Sequence, residues 1–165
     1  MMATMTRDDL MEEACRLAKQ SVENNWGGPF GAVIAKDGEI VARGQNRVLL
    51  TGDPTAHAEI ETIRKAAGSP DRVPERAKML KDHEIFISGA PCPMCMSAIY
   101  WSRIDAVYFA CDLHATSGIG FDDQFQYEDF SRPYEDRSID ITQFRSDLGE
   151  VAYKAWSQKR DKHPY

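Results

Sequence analysis

The stretch Pro91-Cys92-Pro93-Met94-Cys95 sits between an apolar run, Glu84 to Ser88, and a helix-patterned segment, Met94 to Ser102. Two prolines mark a turn out of a strand, and a proline in the first helical turn is well tolerated because its missing N–H would be unpaired there anyway. The two cysteines, three apart at a helix start, can face a single point in space, and a helix N-terminus favours thiolate over thiol. A strand that feeds a helix in this way belongs to a layered α/β domain.

Working outward, the same alternation repeats. Leu10, Ala14, Leu17, Ala18, Ser21 and Val22 fall on one helical face, with Thr6 and Asp9 as a capping pair and Gly27-Gly28-Pro29 as the stop. Phe30 to Ala35 reads as a buried strand, Asp37-Gly38 as a hairpin turn and Glu39 to Arg43 as the returning strand. A helix is expected from about Ala56 to Ala67, a third strand over Glu84 to Ser88, and a fourth over Asp105 to Ala110. Ser138 to Thr142 offers a short fifth strand, and Phe144, Leu148, Val151, Ala152, Ala155 and Trp156 form a last amphipathic helix. The whole, residues 1–165, is expected to be one domain with a mixed sheet.

Composition narrows the class. Apolar residues make up 42% and charged residues 28%, ordinary for a globular chain that needs no disulfides to build a core. The net charge of −6 disfavours nucleic acid as the main partner, since phosphate backbones are held chiefly by Lys and Arg. Lys154, Lys159, Arg160 and Lys162 read as a solvated helix face. No apolar run approaches the roughly 18–20 residues that span a bilayer, and the amino-terminal residues lack the apolar core of a secretory signal, so a cytoplasmic location is expected. In that compartment a close cysteine pair points to metal or catalysis, whereas Cys15 and Cys111 are expected as buried free thiols.

A second motif, Pro54-Thr55-Ala56-His57-Ala58-Glu59, supplies what the cysteines lack. One imidazole and two thiolates are three zinc ligands, and a catalytic zinc site keeps its fourth position open for water. His57, Cys92 and Cys95 are therefore the expected ligands of one Zn2+ per chain. Glu59, two residues beyond His57, is placed beside that open position and is the expected proton carrier. His-x-Glu alone carries almost no information, and a capping or core histidine is the bland reading of His57. A redox dithiol is the rival reading of the cysteine pair, but it leaves His57 and Glu59 without a role. A purely structural zinc module normally has four protein ligands, and no fourth is apparent.

With these residues together, the chain resembles the cytidine-deaminase-like zinc enzymes, whose His-x-Glu and Pro-Cys-x-x-Cys signature is a known one. Within them it is similar to the bacterial guanine deaminases, on Gly27 through Ile34, Gly44-Gln45-Asn46, Asp53 through Ile60, Pro91 through Cys95, Ala98-Ile99-Tyr100-Trp101 and Gly120-Phe121-Asp122-Asp123, with Trp156 and Tyr165 near the end. The resemblance implies a three-layer α/β/α fold around a five-stranded mixed sheet, and hydrolytic release of ammonia from a small nucleobase-like molecule. It also implies a homodimer in which the segment at about 140–165 is exchanged between subunits. Phe30 is implied to stack on the base, Asn46 and the Ala58 N–H to bind its edge, and Pro91, Trp101 and Tyr165 to line or close the pocket, Trp101 and Tyr165 partly from the partner.

Two departures bear on substrate. The family's Cys-Glu-Pro-Cys is Gly89-Ala90-Pro91-Cys92 here, and the acid expected around positions 114 and 115 is replaced by His114 and Ala115. His114 is accordingly a candidate to donate to the base or relay a proton. Guanine is the first expected substrate. Isoguanine, cytosine analogues, amino-triazines and guanosine are the alternatives within the class, and adenosine in tRNA is the alternative outside it.

Overall fold

The computed structural model describes residues 4–68 and 78–165. Helix α1 (Arg7–Glu23) starts at Thr6, whose hydroxyl accepts from the Asp9 N–H while the Asp9 carboxylate accepts from the Thr6 N–H, the expected reciprocal cap. It ends at Glu23, four residues before the glycines expected to stop it. Strands β1 (Gly31–Lys36) and β2 (Glu39–Gln45) form an antiparallel hairpin. Asp37 and Gly38 turn it, both at positive φ, 51° and 75°, as a two-residue turn of this hand requires. A short helix α2 (Val48–Thr51) and then α3 (Ala58–Ala67) follow. Strand β3 (Glu84–Gly89), helix α4 (Pro93–Trp101) and strand β4 (Ala106–Cys111) make a parallel βαβ unit.

The sheet has the order β2-β1-β3-β4, with β1 and β3 antiparallel and β3 and β4 parallel. Its period-two alternation sorts the core into two layers. Val33, Ala35 and Phe86 face α1 and meet Leu10, Ala14 and Leu17. Ala32, Ile34, Ile85 and Ile87 face the other way and meet Ala58 and Ala66 of α3 and Ile99 of α4. This is the α/β/α sandwich expected. Two glycines allow its close approaches: a Cβ on Gly31 would lie 2.2 Å from the Ala14 carbonyl oxygen, and one on Gly44 would lie 2.3 Å from the Thr62 hydroxyl.

The sheet has four strands among the described residues, not five. Residues 138–142 do not pair, because the N–H and hydroxyl of Ser138 are taken by the buried Asp129 carboxylate at 3.1 and 3.0 Å, and the residues after it are solvent-exposed. Between β4 and this segment lie α5 (Leu113–Gly118), α6 (Asp123–Phe130) and a 3-10 turn (Tyr134–Asp136), none of which the apolar pattern had marked. The last helix, α7 (Ser146–Gln158), forms where expected but buries none of its residues. Cys15 and Cys111 are exposed, not buried: Cys15 falls off the buried stripe of α1, and Cys111 ends the outer strand β4. No helix among the described residues is long and apolar enough to cross a membrane.

Candidate active site

The two motifs are brought together by the helices they begin. An Asx turn sets the first: the Asp53 carboxylate accepts from the N–H and hydroxyl of Thr55 at 2.8 and 2.7 Å, and the His57 N–H donates to the Thr55 carbonyl at 2.7 Å. His57 then becomes the N-cap of α3 and Cys92 the N-cap of α4. His57 Nδ1 lies 3.6 Å from Cys92 Sγ and 3.5 Å from Cys95 Sγ. A tetrahedral zinc with Zn–N of about 2.05 Å and Zn–S of about 2.3 Å has N···S edges of about 3.6 Å, so the spacing fits the ion closely. Among the described residues this is the one His/Cys/Asp/Glu group so converged, with its donor atoms within 4.8 Å of one another.

Both helices begin at these donor residues, so the N–H groups of their first turns lie outside the helical ladders. The first backbone bond of α3 runs from the Glu61 N–H to the His57 carbonyl, which leaves the N–H of Ala58 outside the helical ladder. The positive ends of both helices favour anionic sulfur. Hydrogen bonding from Cys95, over the opposing effect of burial, holds Cys92 down at about 4, while the same sharing and burial push the Cys95 thiol up. The hydrogen bond with Cys92 raises the His57 pKa. Glu59 is buried, and desolvation lifts its carboxyl to about 7.

A pocket of about 320 Å³ opens over these groups. Its walls are Phe30, Asn46, Val48, Leu49, Phe121 and Asp123, with His57, Glu59 and Cys92 among the residues lining it. Asn46 is buried, and its side-chain oxygen accepts from the N–H groups of Gly28 and Val48 at 3.3 and 3.1 Å. Its orientation is thereby fixed, with the NH2 left as the donor for a ligand. Its backbone carbonyl accepts from the buried Ser21 hydroxyl at 2.8 Å, which ties the position to α1. No Lys or Arg is among the described residues that line the pocket.

Several expected residues lie elsewhere in the single chain. Pro91 is buried behind the Cys92 turn, where its carbonyl accepts from the Tyr127 hydroxyl at 2.7 Å. Trp101 and Tyr165 lie against each other, ring centroids 5.9 Å apart, outside the pocket lining. An acid does line the pocket, though not at 114–115. His114 is exposed on α5 and faces a separate groove, whereas Asp123, the first residue of α6, lines the pocket, with burial raising its carboxyl pKa. Phe121, at the preceding turn, meets Phe30 edge to face. The sequence did carry a signal for both, the Gly120-Phe121-Asp122-Asp123 match, but no periodicity placed that loop at the metal.

The chain belongs to the cytidine and deoxycytidylate deaminase zinc-binding family, whose model matches residues 4–111. It is 40% identical to the guanine deaminase of Bacillus subtilis over 98% of this chain and 100% of that protein. A crystal structure of that deaminase superposes with a TM-score of 0.89, covering 98% of this chain and 99% of the other. A tRNA-specific adenosine deaminase of Aquifex aeolicus is 36% identical over 64% of this chain and 66% of its own length. The structure of a guanine deaminase from Nitrosomonas europaea matches at 26% identity and a TM-score of 0.60, over 72% of this chain and 66% of that one. The chain is thus a zinc-dependent hydrolytic deaminase in fold and family.

Proposed function

We infer that the chain deaminates a free purine base, guanine before others, taking up water and releasing xanthine and ammonia. The observation that carries this reading is the pocket itself: a three-donor metal site with a buried carboxyl beside it, an amide fixed as donor, a second carboxyl, and aromatic rings. Zinc, when bound by His57, Cys92 and Cys95, supplies the Lewis acidity that brings the pKa of water down toward about 7. Glu59, buried beside the donor atoms, takes one proton of the attacking water and gives it to the ring nitrogen, then passes the second, from the hydroxyl added to the ring carbon, to the departing amine. Phe30 stacks on the base plane. The Asn46 NH2 donates to the ring carbonyl, the Ala58 N–H lies along the same edge, and the Asp123 carboxylate accepts from N–H groups of the base.

The absence of Lys and Arg from the described lining leaves a nucleotide phosphate without a partner, which favours the free base over a nucleotide or a tRNA loop. Asp123 also answers the missing acid at 114–115, so isoguanine, cytosine analogues and amino-triazines rank behind guanine. Two thiolate ligands suit a reducing cytoplasm. We further infer that residues 1–165 form one domain that works as a homodimer, with the segment at about 140–165 laid on the partner and Trp101 and Tyr165 closing the pocket across the interface. What supports this is the uncovered apolar surface of α7, with Leu148 60%, Val151 67% and Tyr153 79% exposed, and of Phe144 just before it.

The test is ammonia release from guanine, guanosine, isoguanine, cytosine, an amino-triazine and a tRNA pool by the zinc-loaded protein, with light scattering on the same sample. Guanine should react fastest and the mass should be that of a dimer. Inosine formed in tRNA with no reaction of guanine overturns the substrate reading, and a monomeric mass overturns the assembly.

A further inference from the structure

We propose that Tyr127 is a positioning residue: its hydroxyl clamps α6 to the Cys92 turn, and so fixes where Asp123 stands relative to the metal ligands. The proposal rests on the functional reading above only for the role of Asp123. Asp123 and Tyr127 are four residues apart on α6, hence on one helical face, one turn from each other. The first reaches the pocket and the second donates to the Pro91 carbonyl at 2.7 Å, immediately before the ligand Cys92.

Among the described residues the other contacts of α6 are with its neighbours α4 and α5 and with the segment that follows it, where Arg137 donates to the Phe130 carbonyl at 2.9 Å, and none of these reaches a metal-ligand turn by a side-chain hydrogen bond. The sheet packing that fixes α1 and α3 does not extend to α6, its own buried residue Asp129 is spent on Ser138, and its start is held locally by the Asp122 carboxylate on the Phe125 N–H at 3.0 Å. Gly120, at φ 98°, precedes the helix in a conformation that L side chains rarely adopt. A helix entered through such a turn and packed lightly keeps its aim through one strong bond. The Tyr127 ring spans the distance, and the hydroxyl alone makes the attachment, so Tyr127→Phe removes the clamp and leaves the packing.

Two measurements on the zinc-loaded full chain decide the matter. Hydrogen exchange needs no substrate: Tyr127→Phe should speed exchange of the α6 amides roughly tenfold while leaving β1 and β3 protected. Unchanged protection of α6 overturns the clamp whatever the substrate proves to be. The second is a double-mutant cycle in kcat/KM with Asp123→Asn. Tyr127→Phe should cost roughly tenfold in the parent and less than about twofold in the Asp123→Asn background, with zinc content unchanged in all four proteins. An equal loss in both backgrounds shows that Tyr127 does not act through Asp123 and overturns the proposal. A parent inert toward guanine fails the substrate reading instead, and the exchange measurement then stands alone.

Discussion

Phe30 and Phe121 stand edge to face, their ring centroids 5.1 Å apart and their planes at 88°. The pair joins the start of the sheet to the turn before α6, segments that no regular backbone pairing connects. It braces one wall of the pocket and leaves ring surface for a flat ligand. Removing the outer ring by Phe121→Ala should raise KM for guanine roughly three- to tenfold and change kcat little. Steady-state kinetics on guanine check it; a fall in kcat with KM unchanged would mean that Phe121 acts on chemistry, not on binding.

Glu59→Gln keeps the shape of the side chain and removes its proton chemistry. Zinc should remain near one per chain by metal analysis, while kcat falls roughly a hundredfold or more. A variant that turns over like the parent removes Glu59 from the mechanism.

Gly27→Ala should act entirely through Asn46. The added Cβ would lie 1.9 Å from the Asn46 side-chain oxygen, so the amide must leave the two N–H groups that fix it. We expect KM to rise roughly tenfold or more with zinc content unchanged, measured by kinetics and metal analysis side by side.

Acid should strip the metal. Protons compete with zinc for imidazole and thiolate, and the His57 pKa in the metal-free site is raised by its hydrogen bond with Cys92. A raised pKa keeps the imidazole protonated to higher pH, so competition begins at higher pH than for a free histidine. Dialysis across a pH series, followed by metal analysis, should show zinc lost as pH falls and regained on return to neutrality in zinc buffer. Cys92→Ser should move the loss toward higher pH or abolish binding.

Glu13 gives a pH-dependent contribution to folding far from the pocket. Its carboxylate accepts from Arg16 at 2.7 Å and from Arg43 of β2 at 2.8 Å, and the Arg16 hydrogen bond leads in holding its pKa below the ordinary value. A depressed folded pKa means that the contribution is complete above the unfolded value of about 4.3 and is lost as pH falls through the folded one. Glu13→Gln should cost about 1 kcal/mol at pH 7 by urea denaturation, and the two proteins should converge only as pH falls below the depressed pKa of the folded carboxyl.

The parts of this molecule that could be read from sequence are those where local chemistry and periodicity agree. The Thr6–Asp9 cap, the Asp37-Gly38 hairpin and the two strand-to-helix turns each announce themselves within a few residues. The metal donors were legible for the same reason, since each motif begins a helix. The segment after Cys111 was harder. α6 carries Phe125, Tyr127 and Phe130 with no clear stripe, so its course depends on single contacts such as Tyr127 with Pro91. The family register puts an acid at 114–115, where this chain has His114 and Ala115, and the acid that lines the pocket, Asp123, stands at the start of α6, after a loop whose position no spacing rule fixes. The fifth strand expected over Ser138 to Thr142 does not form, and a single competing acceptor, Asp129, withdraws Ser138 from any ladder.

The ligands of the zinc site are contributed by two helix starts, with His57 and Cys92 separated by 35 positions along the chain. An ion that grips both is a removable cross-link, present in the native form and absent from the unfolded one. Mass action then ties the melting point to the concentration of free zinc, rising by RT ln(1 + [Zn]/Kd) in free energy. Thermal stability measured after purification through a chelator and in zinc-buffered solution should therefore differ for the same polypeptide, and the difference reads out how tightly the cation is held.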